Sequence, residues 1–474
     1  MCNSASKRFF YNIADLALFF YMNKILLISA NRYTNPYPVY PIGVSYLKTY
    51  IQKILPHYQV HVFDFNLGDY ASLIETLKEY QPKYIGISLR NIDGANSFDR
   101  SSFISGYKEI VETVRANSQA PVVIGGAGFS IYPQPVFDEL HPNFGITGEG
   151  EQAWVNLISC LDEGKDHTRI EGLVYYNKSN EFIRNPHLNY LKNLELQFED
   201  SIIDFYWKKS GMLNIQTKRG CCYHCIYCSY PVIEGRKIRT LNADLIVENL
   251  FRLNKEKEIN YVFFTDSVFN LDREYNMELA EKIIRSGLKI KWGAYFSPSN
   301  LTDEEMTLYK QSGLTHIEFG TESLCDTQLK NYGKHFTFSD VKAASDLALK
   351  HNVFYAHFLI LGGYGETDET IRETMENSKL LNYTVFFPFV GMRIYPDTRL
   401  QQIAIEEGVI SPSDLLLQPT YYISKNFDLS TLKEKAAATG KAWSFPDYPK
   451  SDVIDILRLK RKKKGLMWEY LRKP

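Results

Sequence analysis

Four of the seven cysteines of the chain fall within eight residues, at Cys221, Cys222, Cys225 and Cys228. A disulfide framework would spread its cysteines through a short secreted chain, so this crowding indicates metal or cluster ligands in a reducing compartment. The spacing Cys221-x3-Cys225-x2-Cys228 can bind three irons of a [4Fe–4S] cube and leave the fourth iron without a protein ligand. Structural zinc is the alternative, but zinc takes four ligands, and Cys222 or His224 would have to double back to supply the fourth.

The composition restricts the class of protein that carries these cysteines. The chain has 474 residues, 45% hydrophobic and 23% charged, which is typical of a globular protein of two to four domains. A formal net charge of −1 argues against a general nucleic-acid binder. Since no run of about 18 uninterrupted apolar residues occurs, we predict no membrane span and a cytoplasmic protein. Residues 1–21 are interpreted as an extension that precedes the first strand.

The elements upstream of the cysteines predict a doubly wound α/β domain over residues 22–162. Short apolar runs without alternation are typical of parallel strands that are buried on both faces. Five such runs alternate with helical patterns, at 24–29, 60–65, 84–89, 121–124 and 144–146. Sheets of this kind bind ligands at the carboxyl ends of their strands.

The elements downstream of the cysteines predict an incomplete barrel. The polar segment 163–208 is interpreted as a connector with one hairpin. Over 209–408, six strand and helix units follow, which form most of a (β/α) barrel and leave an open side for a large substrate. The predicted strands are 213–217, 261–265, 289–296, 316–320, 353–361 and 385–392. Residues 409–474 are a less regular C-terminal region, and their basic run of Arg458 and 460–464 is interpreted as a solvated face or frayed tail.

Residues 217–228, TKRGCCYHCIYC, resemble the CxxxCxΦC signature of the radical S-adenosylmethionine (SAM) superfamily, with Tyr227 as the aromatic Φ. The resemblance implies that Cys221, Cys225 and Cys228 hold a [4Fe–4S] cluster and that the open iron chelates SAM. It places Tyr227 beside the adenine, and it leaves Cys222 as a structural thiol. Chelation holds the sulfonium against the cluster, as electron transfer into it requires.

Later segments of the barrel are similar to other SAM-binding segments of that superfamily. At 264–267, FTDS replaces a common Gly-Gly-Glu, so Asp266 and Ser267 are the expected substitutes that grip the methionine amino group. At 320–323, GTES suggests Glu322 and Ser323, although Glu322 could also be a surface capping acid. At 361–367, LGGYGET suggests that Gly362 and Gly363 let the backbone approach the adenosine. Arg393 is either a substrate contact or part of a structural ion pair.

The first domain resembles the B12-binding domain of cobalamin-dependent radical SAM enzymes. The resemblance is carried by 40–47 (YPIGVSYL), 124–128 (IGGAG) and 148–151 (GEGE), each after a predicted strand. The Asp-x-His-x-x-Gly motif that ligates cobalt is absent, so we expect no histidine lower ligand. The loop 88–94 is expected to face the lower side of the corrin, unless Arg90 and Asp93 merely pair at the surface. The implied cobalamin contacts are Arg90, Asn91, Gly125, Gly126, Gly148 and Glu149.

Together the resemblances imply a cobalamin-dependent radical SAM enzyme, most simply a methyltransferase that acts on an unactivated carbon through methylcobalamin and a 5′-deoxyadenosyl radical. The alternative keeps the cofactors and performs ring formation, rearrangement or other C–C chemistry without methyl transfer. A non-catalytic cobalamin or redox sensor is a third hypothesis, and the cluster spacing argues against it. The implied partners are a small-molecule, lipid or natural-product substrate and an external electron donor of flavodoxin or ferredoxin type.

Overall fold

The computed structural model describes residues 23–426, 428–446 and 463–473. The predicted extension over 1–21 lies outside the described residues, as does the part of the basic run from Arg458 to Lys462. Among the described helices, none is long and apolar enough to cross a membrane.

The first half of the chain forms a parallel sheet covered by helices on both faces. Its strands are β1 (Asn23–Ser29), β2 (Tyr58–Asp64), β3 (Tyr84–Ser88), β4 (Val122–Gly125), β5 (Phe144–Ile146), β6 (Leu173–Tyr176) and β7 (Phe182–Arg184). Its helices are α1 (Ile42–Ile54), α2 (Tyr70–Tyr80), α3 (Ile104–Asn117), α4 (Ala127–Ile131), α5 (Pro133–Leu140) and α6 (Glu151–Glu163). In β1, Leu26 and Ile28 face one apolar core while Ile25 and Leu27 face another, which explains why the strand lacks alternation.

Within the described residues this sheet has seven strands in the order β2-β1-β3-β4-β5-β6-β7. The five predicted strands are all present and parallel, as expected for a doubly wound domain. The prediction of five strands falls short by two, because the hairpin foreseen in the connector pairs antiparallel with β5 and extends the sheet.

The second half forms the incomplete barrel. Its strands are β8 (Leu213–Ile215), β9 (Lys218–Arg219), β10 (Arg239–Thr240), β11 (Tyr261–Phe264), β12 (Lys291–Phe296), β13 (Leu314–Glu322), β14 (Phe354–Leu361), β15 (Val385–Val390), β16 (Met392–Arg393), β17 (Tyr421–Tyr422) and β18 (Ala442–Trp443). Its helices are α7 (Asp200–Ser210), α8 (Tyr230–Glu234), α9 (Ala243–Glu256), α10 (Arg273–Arg285), α11 (Asp303–Gln311), α12 (Asp326–Asn331), α13 (Phe338–Lys350), α14 (Asp368–Ser378), α15 (Arg399–Glu406) and α16 (Leu432–Ala438).

The barrel strands run in parallel in the order β18-β15-β14-β13-β12-β11-β8. The six predicted strands are present, and β18 adds a short seventh strand from the C-terminal region. Along β12, Trp292, Ala294 and Phe296 pack into the core beneath the helices. The alternate residues, such as Tyr295, therefore point into the lumen, since successive side chains in a strand face opposite sides.

Polar caps fix the helices that follow the barrel strands. Thr302 and Glu305 form a reciprocal capping box at the start of α11, and Thr367 and Thr370 form another at the start of α14. Because each cap stops the chain from continuing the preceding strand, the residues between strand and helix stay at the carboxyl edge of the barrel. The loops at that edge carry the candidate site.

Candidate functional site

The cysteine loop lies at the carboxyl edge of the barrel and is held by backbone hydrogen bonds. The Cys221 N–H donates to Gly235 O at 3.1 Å, and the Ile226 N–H donates to Tyr332 O at 3.2 Å. In the other direction, Ile226 O accepts from the N–H of Leu400 at 2.9 Å. Since these partners come from three separate parts of the chain, the end of α8, the end of α12 and the start of α15, the loop has a defined course in the structure.

Two glycines allow this close packing. Gly220 precedes the first cysteine with φ +91°, and a Cβ there would stand 2.2 Å from Lys237 O. Gly333 has φ +73°, and a Cβ there would stand 2.7 Å from His224 O, inside the cysteine loop. A side chain at either position would both strain the backbone and push the loop out of place.

A buried cation accompanies the thiols. Burial raises the pKa of Cys228 to about 12, and the neighbouring Cys225 adds to the rise, while Lys334 opposes it. The Lys334 ammonium donates to Gly320 O and to Glu322 Oε1, both at 3.2 Å, and its side chain is 7% exposed. A positive charge here favours thiolates over thiols, and the sequence motif alone does not reveal it.

The loop fits an iron–sulfur cube better than a single ion. In the part of the chain that the structure describes, no three His, Cys, Asp or Glu side chains converge on one metal ion. The cysteines of a cube bind different irons and so stand further apart than the ligands of one zinc. Cys221 is buried and Cys225 and Cys228 are half-buried, whereas Cys222 is exposed.

Two of the predicted SAM-binding residues lie beside the cysteine loop. Glu322 ends β13 with a left-handed φ of +66°, an uncommon conformation for a side-chain-bearing residue. Its carboxylate accepts from the Tyr227 hydroxyl at 2.8 Å and is held by Lys334. Glu322 is thus not the surface capping acid that was the alternative. It instead lies in a charged group with Tyr227 and Lys334.

The structure corrects the role predicted for Asp266. It was expected to grip the methionine amino group, but its side chain is fully buried and every contact is internal. Oδ1 accepts from the N–H groups of Thr217 and Lys218 at 2.6 and 3.1 Å, and Oδ2 accepts from the Thr217 hydroxyl and from the Lys218 ammonium at 2.8 Å. Asp266 therefore fixes the strand that leads into the cysteine loop, and it has no oxygen free for a ligand.

The two serines also differ from expectation. Ser267 donates to Gly220 O at 3.0 Å and contacts Cys221, so it supports the loop. Ser323 is fully buried against α14, where its hydroxyl meets Thr374 at 3.2 Å. The same hydroxyl accepts from the N–H of Cys325 at 3.2 Å, so its contacts are internal, which argues against a contact with SAM.

The predicted glycine turn after β14 is closely packed. Gly362 has φ +78°, and a Cβ at Gly363 would stand 2.5 Å from the Tyr332 hydroxyl. The buried Glu366 carboxylate accepts from the N–H of Gly362 at 3.2 Å, and burial raises the pKa of Glu366 to about 7. Both glycines are buried, and the N–H of Gly363 donates to the Tyr332 hydroxyl, so the turn requires residues without side chains. The approach of this backbone to the adenosine stays a prediction.

A cavity of about 280 Å³ opens at the carboxyl edge of the first sheet. Gly125, Gly126, Gly148 and Glu149 line it, as does Arg90, all predicted cobalamin contacts. Gly126 has φ +96°, and a Cβ there would stand 2.6 Å from Leu89 O. Glycine-lined walls let a bulky cofactor reach the backbone, and the carboxyl ends of β1, β3, β4 and β5 meet here, where open α/β sheets bind their ligands.

Glu149 has a second contact set that joins the two halves of the molecule. Its Oε1 pairs with Arg239 at 2.5 Å and with Arg219 at 3.6 Å, and Arg219 also pairs with Glu151 at 2.9 Å. All four side chains are at most 8% exposed. Arg219 stands two residues before Cys221, so this buried network ties the cysteine loop to the first domain. Oε2 of Glu149 and of Glu151 have no hydrogen-bond partner among the described residues.

The structure resolves two further alternatives. Arg393 forms a buried ion pair with Asp93 at 3.0 Å, so it is a structural residue that joins the two halves. Asp93 therefore does not pair with Arg90, whose exposed side chain lines the cavity. Asn91 donates to Asp93 O at 2.8 Å, and its buried Oδ1 has no partner in the described chain.

The barrel lumen is lined by aromatic rings. Phe263 and Tyr295 meet edge to face at 4.9 Å, and Phe358 stacks on Phe387 at 5.1 Å. Tyr295 is 41% exposed although it lies in the middle of a sheet, and burial nevertheless raises its pKa. A ring that is both exposed and desolvated lies in an internal cavity rather than on the outer surface.

The C-terminal segment closes the lumen from below. Trp468 is buried and donates to Glu318 Oε1 at 2.9 Å, and Glu469 lies 3.4 Å from His316. Gly465 packs on the Tyr261 ring, where a Cβ would stand 2.5 Å away. The prediction of a solvated or frayed tail is therefore wrong for the described residues 463–473. The uncharged run GLMW at 465–468, directly after the basic residues, was the signal of a packed segment.

Family models match both halves of the chain. The B12 binding domain matches residues 29–158, and the radical SAM superfamily matches residues 215–377. Among curated proteins, tryptophan 2-C-methyltransferase of Streptomyces laurentii is 23% identical over 78% of this chain and 73% of that enzyme. Hopanoid C-3 methylase of Methylococcus capsulatus is 21% identical over 74% of this chain and 67% of that enzyme.

Two solved structures share the fold. The methyltransferase TsrM from Kitasatospora setae, with tryptophan and a SAM analogue bound, superposes with a TM-score of 0.78 at 22% identity, over 88% of each chain. The cobalamin-dependent radical enzyme OxsB superposes with a TM-score of 0.71 at 19% identity, over 90% of this chain and 67% of that chain.

Fold and site together define a radical SAM enzyme, with its cluster loop at the carboxyl edge of an incomplete barrel. The chain belongs to the cobalamin-dependent members of that superfamily, which carry a B12-binding domain before the barrel. A [4Fe–4S] cluster, SAM and cobalamin are its cofactors, and the cysteine loop, the glycine turn and the glycine-lined cavity fit them.

Proposed function

We propose that this protein transfers a methyl group from SAM to a carbon atom of a small organic substrate. The observation that carries the proposal is the placement of the glycine-lined cavity of the first domain against the cysteine loop, with Arg219 in contact with both. The curated relatives named methylases and methyltransferases support it. When bound, the three cofactors supply a one-electron reductant, a methyl source and a methyl carrier.

The chain supplies orientation around these groups. We propose that Cys221, Cys225 and Cys228 bind the cluster and that Lys334 compensates their negative charge. Tyr227 and Glu322 would border the adenosine, together with the glycine turn at Gly362 and Gly363.

On the side of the first domain, Gly125, Gly126 and Gly148 would border cobalamin, with Arg90 and Asn91 beneath the corrin. Glu149 would act there mainly through its pairs with Arg219 and Arg239, which hold the two cofactor sites together. The two domains then enclose the reacting groups and exclude water between them.

The cellular context follows from the cluster. Four closely spaced cysteines persist as thiolates only in a reducing compartment, so we place the protein in the cytoplasm. The cluster must also receive electrons from outside, and we propose a flavodoxin or ferredoxin as donor.

The test is an anaerobic reaction with SAM that carries an isotopically labelled methyl group, using extracts of candidate small molecules as acceptors. Label in a new carbon–methyl product, dependent on cobalamin and on Cys221, supports methyl transfer. A new product that contains no label, formed with the same cofactor dependence, would overturn it in favour of ring formation or rearrangement.

A further inference from the structure

The lumen of the barrel contains one carboxyl group whose contacts are incomplete. Glu318 lies in the middle of β13, in register with Tyr295 of β12, and is 4% exposed. Its Oε1 accepts from the indole N–H of Trp468, and within the described residues Oε2 has no hydrogen-bond partner. Oε2 is not fully enclosed by protein, so a ligand in the lumen can complete the hydrogen bonds of this carboxyl group.

The free oxygen faces the aromatic compartment rather than the packed core. On β13, Ile317 and Phe319 pack into the core beneath the helices, so Glu318 between them points to the opposite side. The neighbouring lumen ring is Tyr295, whose pKa is raised by burial and further by Glu318. Glu318 and Tyr295 therefore lie side by side in the same wall of the lumen.

The compartment extends from this floor to the cysteine loop. Tyr230 follows Cys228 by two residues and is 36% exposed. Glu318 lies on the same strand as Glu322, four residues before it, and Glu322 accepts a hydrogen bond from the Tyr227 hydroxyl of the cysteine loop. A molecule that is hydrogen-bonded to Glu318 would therefore extend towards the cysteine loop and the cavity of the first domain.

We propose that Glu318 anchors the substrate at the floor of the lumen, its free oxygen accepting a hydrogen bond from an N–H donor on an otherwise flat, apolar molecule. The inference rests on the proposed function, in that the anchored molecule is the methyl acceptor. Aromatic walls select planar rings, and an unpartnered buried acceptor selects a donor and discriminates strongly against analogues that lack one.

The test uses the full chain with its cluster reconstituted anaerobically, and titrates indole and benzothiophene by calorimetry. These two bicycles have nearly the same shape, and only indole has an N–H donor. At about pH 8, above the raised pKa of Glu318, we expect indole to bind about 10-fold more tightly, because the ionised carboxylate then accepts from the indole N–H. Equal affinities, or no binding of either bicycle, would overturn the proposal.

Glu318→Gln sharpens the test. Only the amide oxygen can accept from Trp468, so the amide –NH₂ would face the lumen and meet the indole N–H donor to donor. The preference should fall below about 2-fold or reverse, and a preference that survives the substitution would contradict the assignment. Trp468→Phe is the matched control, because it removes the competing donor but keeps the floor, and it should retain the preference for indole.

Folding and function are separated by two further measurements. Iron content and the unfolding midpoint are recorded for each variant. If Glu318→Gln does not fold, Glu318→Asp keeps the charge but withdraws it by one methylene, and it should reduce the preference without abolishing it. Loss of labelled-methyl transfer with an intact preference for indole would overturn the proposed function alone, whereas methyl transfer without that preference would overturn only the role of Glu318.

Discussion

The cavities in the two halves of the molecule are lined by different kinds of group. At the edge of the first sheet, the wall is largely backbone, with Gly125, Gly126 and Gly148 at the strand ends. In the barrel, the wall is made of side chains, among them Phe263, Tyr295 and Phe387, and Glu318 lies in register with Tyr295. Glycines accommodate a large group of fixed shape, whereas side chains can vary to suit different small molecules. We therefore infer that the glycine wall borders a cofactor, whereas the side-chain wall determines which substrate binds.

The largest effect that would test this contrast is loss of the cluster. Cys221→Ser should reduce iron from about four per chain to nearly none, because a cube needs all three thiolates of this loop. Iron and sulfide analysis after anaerobic reconstitution is the measurement. Cys222→Ser is the matched control, since the exposed Cys222 should be dispensable. Equal iron loss in both variants would mean that the loop binds metal in another way.

The next effect concerns the glycine wall. At Gly125 a Cβ would meet only Ile146 O at 3.4 Å, so Gly125→Leu is tolerated by the backbone and fills the cavity. Cobalt should fall by about 10-fold or more while iron stays unchanged. Gly106→Leu, on α3 with nothing within 4 Å, is the control and should retain cobalt. Normal cobalt in Gly125→Leu would place the corrin elsewhere.

A smaller effect is expected at the buried pair that leads into the cysteine loop. Asp266→Asn leaves the fully buried Lys218 ammonium without its counter-charge, which should destabilise the protein by about 3–5 kcal/mol. The free energy of unfolding in denaturant is the measurement, and Lys218→Met combined with Asp266→Leu should recover much of the loss. Unchanged stability together with weaker SAM binding would instead restore Asp266 as a ligand contact.

The smallest expected effect is the contribution of Glu318 to the pH dependence of stability. Burial raises the pKa of Glu318 from about 4.5 to about 7, so between these values the folded state binds more protons than the unfolded state. Stability should therefore fall as pH rises from about 5 to 7, by up to about 3 kcal/mol, and level off above the folded pKa. Glu318→Gln should remove this part of the slope.

The groups around Glu318 support the predicted fall of stability with rising pH. His316 is neutral because burial lowers its pKa, and Lys463 is paired with Glu469, so neither of these described floor residues places an unpaired positive charge beside the carboxyl group. From β11 and β12, Tyr261 and Tyr295 are neutral. Thermal melts of wild type and Glu318→Gln at several pH values provide the comparison, and parallel slopes would show that Glu318 is ionised at neutral pH in the folded protein.

Much of the architecture was predictable because it depends on local patterns. The strands of both sheets are apolar runs, and the cysteine loop and glycine turns are short motifs whose residues contact each other within one loop. The hairpin β6–β7 and the short strand β18 were not assigned to the sheets, since their pairing depends on partners distant in the chain.

The site was predictable only in part for the same reason. Asp266 stands where a SAM contact was expected, and only the structure shows that Lys218 occupies it. Lys334, Arg219 and Glu318 carry no motif, and each gains its role from residues tens to hundreds of positions away, such as Trp468 for Glu318. Local spacing identifies cofactor ligands, whereas long-range packing determines which charges remain free.

The floor of the lumen also has a consequence for synthesis of the protein. Trp468 meets Glu318 across 150 residues of sequence, and it comes after every barrel strand in the chain. When the ribosome has translated all of the barrel strands, the segment that closes the barrel has not yet been made. The nascent barrel is therefore open at its base, with its aromatic rings exposed to water, until the last of the described residues has been translated.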